Sequence, residues 1–249
     1  MGEVIVGGSS VPEAQGLSQV ERVVDTFVAP SKTFTDILRN TSWWVPFLLI
    51  VVLSLGFAYA VDKTVGYDAV AQQQVEKVHT VADQLDQMAP ADRARMMHQR
   101  AVGTRYTTYA FGLLVLAILA IEALVLWASF NFGLGAKTTF KQVFAVLLYA
   151  GLPKMFVYVI AIALLFSGVG LDSFDIQNPA GTNLGYFMSN PTMKAAGSFF
   201  DVFGLWALAL LVIGMAIISK KTKTQSAIIV VGWWLLGLIV SAGVAAAFS

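Results

Sequence analysis

Five stretches of this chain have the length and apolarity of membrane-crossing helices. They cover residues 44–61, 106–132, 143–166, 202–218 and 227–248, and each is bounded by charged or turn-forming residues. A helix needs about 17–25 apolar residues to cross the hydrocarbon core of a bilayer. Continuous apolar runs do not suit a barrel, whose strands alternate lipid-facing and lumen-facing side chains. The backbone must therefore satisfy its own hydrogen bonds within helices. The expected fold is an all-α integral membrane protein: a five-helix transmembrane bundle with amphipathic N-terminal helices and an extramembrane helical hairpin. Composition agrees, because only 12% of the residues are charged and 57% are hydrophobic, against about 25% charged in a soluble domain. The first run follows a polar stretch without a cationic start, so it reads as a retained span and not as a cleaved signal.

The polar segments divide the rest. Residues 1–16, rich in Gly, Ser and Val, show no helical period and read as a flexible tail. Within residues 17–42, Leu17, Val20, Val24 and Phe27 recur at helical spacing, and Phe34, Ile37 and Leu38 mark a second short helix. Pro30 is expected to end the first helix and Ser31 to cap the second. Both helices are expected at the membrane surface or against the bundle. The rest of the chain, 43–249, is the five-span domain, with a hairpin inserted at about 62–105. In that insertion Val75, Val78, Ala82, Leu85 and Met88 form an apolar stripe. Pro90 breaks the helix, and a second helix from about Ala91 runs into span two. Residues 167–198 hold turn signals at Asn178-Pro179, Ala180-Gly181 and Asn190-Pro191 and are expected to be irregular.

Positive residues orient the chain. With the N-terminus inside, the cytoplasmic segments carry eight Lys and Arg against seven on the other face. Short loops weigh more than long ones, and they favour this orientation by five to one. The expected location is the cell (inner) membrane, with a cytoplasmic N-terminus and an extracytoplasmic C-terminus.

Candidate functional residues are few. Glu122 and Lys154 are the ionisable residues deepest within the apolar runs, about one helical turn apart in depth. A charge at that depth must face protein, water or a counter-charge. Three readings stand: an intramembrane ion pair, a snorkelling Lys154, or a proton or substrate relay. Pro153 is a candidate kink in span three, or the point where an interfacial helix ends and a shorter span begins. Gly237, Ser241 and Ala245, each four apart, form a candidate helix-packing stripe, within the bundle or between copies. His79 shares a helix face with Glu76 and Asp83, which reads foremost as a solvated face. No nucleotide, zinc-protease or hydrolase motif occurs. Without cysteine, thiolate chemistry is excluded. No catalytic residue, cofactor or metal is therefore expected. A net charge of +1 speaks against a nucleic-acid partner. The expected partners are the lipid bilayer and a membrane protein or a second copy of the chain.

Two patches carry a family resemblance. The first holds Phe27, Pro30, Phe34 and Ile37, then Trp43-Trp44-Val45-Pro46. The second holds Gly135, Thr139-Phe140-Lys141-Gln142 and Tyr149-Ala150-Gly151-Leu152-Pro153. Their order resembles the prokaryotic branch of the Yip family, five-span relatives of the Ypt/Rab-interacting proteins. The resemblance covers about residues 20–245, with the long loop after span one as an elaboration. It implies a non-enzymatic membrane scaffold or accessory subunit that organises a membrane complex, such as an exporter or a trafficking-related assembly. Eukaryotic relatives act with small GTPases and reticulon-type partners. The alternative reading is a small transporter or channel-like protein using Glu122 and Lys154.

Overall fold

The computed structural model describes residues 16–77, 79–168, 170–171 and 174–247. The expected tail up to residue 15, the side chain of His79 and the last two residues lie outside them. Five helical segments are long and apolar enough to cross a membrane: Trp44–Thr64, Pro90–Gly133, Phe140–Ser167, Val202–Ser219 and Lys223–Ala247. The protein is an all-α integral membrane bundle. Among the described residues the sole β-type pairing is an isolated bridge between Asn183 and Asp201.

Two short helices come first, α1 (Gln19–Val28) and α2 (Pro30–Ile37). Ser18 caps α1 in a capping box with Glu21, so two otherwise orphaned amides are satisfied. Pro30 does not merely stop α1. It occupies the first turn of α2, where its missing N–H costs nothing, and Ala29 rather than Ser31 stands at the junction. The apolar residues of α1 divide between the bundle and the surface. Phe27 packs inward against Phe156 and Trp206, while Val20, Val24 and Val28 stay exposed. Arg22 and Thr26 take the fully buried positions. α2 buries Phe34 and Ile37 in the main core, each worth about 1.5–3 kcal/mol of transfer free energy.

The first span is α3 (Trp44–Thr64), followed by α4 (Tyr67–Glu76) and α5 (His79–Asp86). The chain then turns into α6 (Pro90–Ala128), which runs unbroken from the extramembrane hairpin through span two. α4 packs on α6, with Val70 and Ala71 in one buried cluster with Ala101. Of the expected apolar stripe, Val75 and Leu85 are buried, and Val78 lies outside the described residues.

Span three is two helices. α7 (Phe140–Ala150) starts with a capping box between Thr139 and Gln142. A 3-10 turn at Leu152–Lys154, with Pro153 inside it, separates α7 from α8 (Met155–Ser167). All of residues 143–150 are buried, and α7 touches α6, α10, α2, α1 and α3. The middle of the bundle is therefore filled by a helix. α8 packs on α3.

The segment before span four is more ordered than its turn signals suggest. It contains a 3-10 helix at Leu184–Phe187 and α9 (Pro191–Ser198), capped by Asn190. Two glycines allow these to touch. A Cβ on Gly185 would stand 2.4 Å from the Lys194 carbonyl, and one on Gly197 would stand 2.7 Å from the Gly185 amide. Span four is α10 (Val202–Ser219) and span five α11 (Lys223–Ala247). α11 packs on α9 and α10 only at its edge, and Ser226 and Val230 are its only buried residues.

Candidate functional site

The most heavily buried polar cluster ties the N-terminal helices to the bundle. Arg22 is fully buried, and its Nε donates to Asp36 Oδ2 at 2.6 Å. Its Nη2 lies 2.5 Å from the same oxygen, off the direction of a hydrogen bond. Nη1 reaches the Ser42 carbonyl at 3.4 Å. Arg39 donates to the other oxygen of Asp36, Oδ1, from Nε and Nη2. The carboxylate is thus held between two guanidiniums. The Arg22 carbonyl accepts from Thr26 Oγ1 and from Thr33 Oγ1, which binds α1 to α2. Tyr149 of α7 donates to Gln19 Oε1 at 3.0 Å, close to the Arg22 guanidinium. This latch escaped the sequence reading. Its only trace was an arginine and a threonine four residues apart, and α1 offers valines on both sides of them.

Glu122 and Lys154 are both exposed on the flank of the bundle. Lys154 lies close enough for Glu122 to feel its charge, yet the two close no ion pair among the described residues. The 3-10 turn changes where Lys154 points around its helix. It advances about 120° per residue instead of 100°, so three residues carry Lys154 about 60° away from its place on a continuous helix. Glu122 lies one turn from Ile118, and Ile121 and Leu124 follow further round the helix, each more than half exposed. It is an outward-facing carboxylate on an apolar face.

Of the small-residue stripe, Gly237 faces Phe199, whose Cε1 would lie 3.4 Å from an added Cβ. Trp234 beside it packs edge-on against Phe199 and Phe200.

At the opposite end of the spans, Asp62 accepts from Arg105 at 2.9 Å and from the Tyr109 hydroxyl at 3.3 Å, fastening the root of the hairpin. Burial pushes the neighbouring Tyr67 phenol up to about 12. Its hydroxyl donates to the Ala58 carbonyl. Asp175 pairs with Lys77 at 2.8 Å and Lys194 at 2.7 Å, joining the end of α4 to α9. Desolvation raises this carboxyl, but hydrogen bonds from Lys194 and Lys77 outweigh it and hold the group below the usual aspartate range. None of these clusters forms a metal-binding set among the described residues.

Comparison with known proteins fits this architecture. The Yip1 domain model matches residues 24–244. The chain is also similar to the membrane protein YknW of Bacillus subtilis, 25% identical over 210 residues that make up 82% of each chain. No solved structure matches.

Proposed function

The chain belongs to the Yip1 domain family, and from that premise we propose that it is a non-enzymatic membrane scaffold or accessory subunit that organises a membrane-protein complex. The observation that carries this reading is the outward placement of Glu122. A carboxylate within a span is too costly to leave facing hydrocarbon unless a donor or counter-charge closes on it; Lys154 acts on Glu122 only from a distance, and Ile118 a turn away, with Ile121 and Leu124 further round the helix, is without cover among the described residues. A neighbouring span with a hydrogen-bond donor would satisfy both. The buried run of α7 along the middle of the bundle favours this over the transport alternative, which needs a polar pathway near the midplane. The finer assignment, to an exporter or a trafficking-related assembly, rests on the family resemblance alone.

A photo-crosslinking side chain at Ile121, 65% exposed, tests the reading in native membranes. It should give a discrete adduct with one protein, and Glu122→Gln should weaken that adduct. The same probe at fully buried Ala145 should give none. A monomer without an adduct from Ile121 after mild detergent extraction would overturn the proposal.

A further inference from the structure

The last turn of span two is wound as a π-helix, Ser129–Gly133, an irregularity found mostly where a helix has a functional role. Beside it, α11 leaves a groove of about 510 Å³. Leu134, Ile228, Gly232 and Leu236 form its apolar walls. One polar contact closes it, Trp233 Nε1 donating to Ser129 Oγ at 3.0 Å. A Cβ on Gly232 would meet nothing within 4 Å, so no side chain of the described residues fills the space beside it. The groove lies between two spans, on the flank of the bundle.

Its end is strongly basic. Lys137 follows the groove residue Leu134 by three positions. Lys223 precedes Ile228 by five, about 7.5 Å along a helix. With Lys141, Lys220 and Lys221 they make five lysines in or next to the two short connections at this end of the spans, and none forms an ion pair among the described residues. No acidic residue occurs between Glu122 and Asp172, or anywhere after Asp201. Lys220 also has φ 56°, the only non-glycine positive φ among the described residues. That left-handed cap position normally falls to glycine or asparagine. A lysine kept there against backbone preference points to a use for its charge.

We propose that this groove holds an acyl chain of an anionic phospholipid, with its phosphate seated among Lys137, Lys220, Lys221 and Lys223. Apolar walls open to the bilayer suit the chain, and an uncompensated basic rim suits the headgroup. A general bias of lysine toward one membrane face would explain the charges but not the unfilled groove beneath them, and the experiment separates the two. The full-length protein in neutral detergent is unfolded thermally with phosphatidylglycerol, phosphatidylcholine or inorganic phosphate added. Phosphatidylglycerol should raise the midpoint by several degrees more than the other two, with one molecule retained per chain in native mass spectrometry. Gly232→Phe, which fills the groove, and the triple change Lys220→Gln, Lys221→Gln, Lys223→Gln should each remove that difference. Ile228→Trp, at an exposed groove wall, repeats the block should Gly232→Phe not fold. Equal shifts with phosphatidylcholine, or full reproduction by phosphate, would overturn the proposal. So would a phosphatidylglycerol effect that survives blocking of the groove, because binding would then be to the loops alone.

Discussion

Asp36 is the hinge of the N-terminal latch because its two guanidinium partners are unequal. Arg39 is mostly exposed, whereas Arg22 is fully buried and pairs with no other carboxylate among the described residues. Removing one member of a buried pair strands the other at about 3–5 kcal/mol. Asp36→Ala should therefore destabilise the protein by an amount in that range. Arg22→Met should cost less, because Asp36 keeps Arg39. Thermal unfolding of the two variants in detergent checks the order, and a larger loss in Arg22→Met would refute this account of the latch. Gly214 is a second single-residue control. Its Cβ would lie 2.6 Å from Val146 Cγ1 and 3.0 Å from the Phe34 ring, so Gly214→Ala should overpack the seat of α2 at about 1–3 kcal/mol. Limited proteolysis should then cut the α1–α2 segment sooner than in the parent protein.

Among elements, the segment between α8 and α10 depends on close backbone approach and on one carboxylate. Asp175 holds α4 and α9 together through Lys77 and Lys194, and its folded-state pKa is lowered. A lowered carboxylate pKa contributes stability above the unfolded value of about 3.9, and that contribution is lost as pH falls through the folded value beneath it. Hydrogen exchange in α4 and α9 should therefore stay slow at neutral and mildly acidic pH and accelerate only below the ordinary aspartate range. Asp175→Asn should show the faster exchange already at neutral pH. If the wild-type protein and this variant exchange alike at neutral pH, the clamp does not hold these elements. Span three illustrates another element-scale effect. Pro153 was legible as an interruption, and the structure shows a three-residue 3-10 turn at its place, flanked by a wholly buried α7 and a more exposed α8.

For the whole molecule, orientation decides which surface meets which partner. The two short lysine-bearing loops and the N-terminal helices lie at one end of the spans, and the hairpin and α9 at the other. The positive-inside bias favours the lysine end in the cytoplasm, and this orientation is a proposal that topology mapping tests. The chain has no cysteine, so single cysteines are easily read. An impermeant thiol reagent on intact cells should label Gln84→Cys and not Thr222→Cys. The reverse pattern would turn the protein over and present the hairpin to cytoplasmic partners.

The sequence by itself determined the all-α class, the five spans and the family, because all of these are local. A long apolar run has one stable answer in a bilayer, and motif order survives without knowing any contact. Tertiary structure alone decided the rest. Periodicity marked Val20 and Val24 as an apolar face of α1, but only packing showed that its interior belongs to Arg22 and Thr26. Glu122 and Lys154 share a depth in the sequence, but depth does not say which way a side chain points around its helix, and the turn at Pro153 changed that azimuth. The groove beside Gly232 left no trace in the sequence either, since it exists only where the π-helical turn Ser129–Gly133 meets α11, about a hundred residues further along the chain. Periodicity along one helix describes that helix. Which of its faces is covered depends on neighbours that only folding brings together.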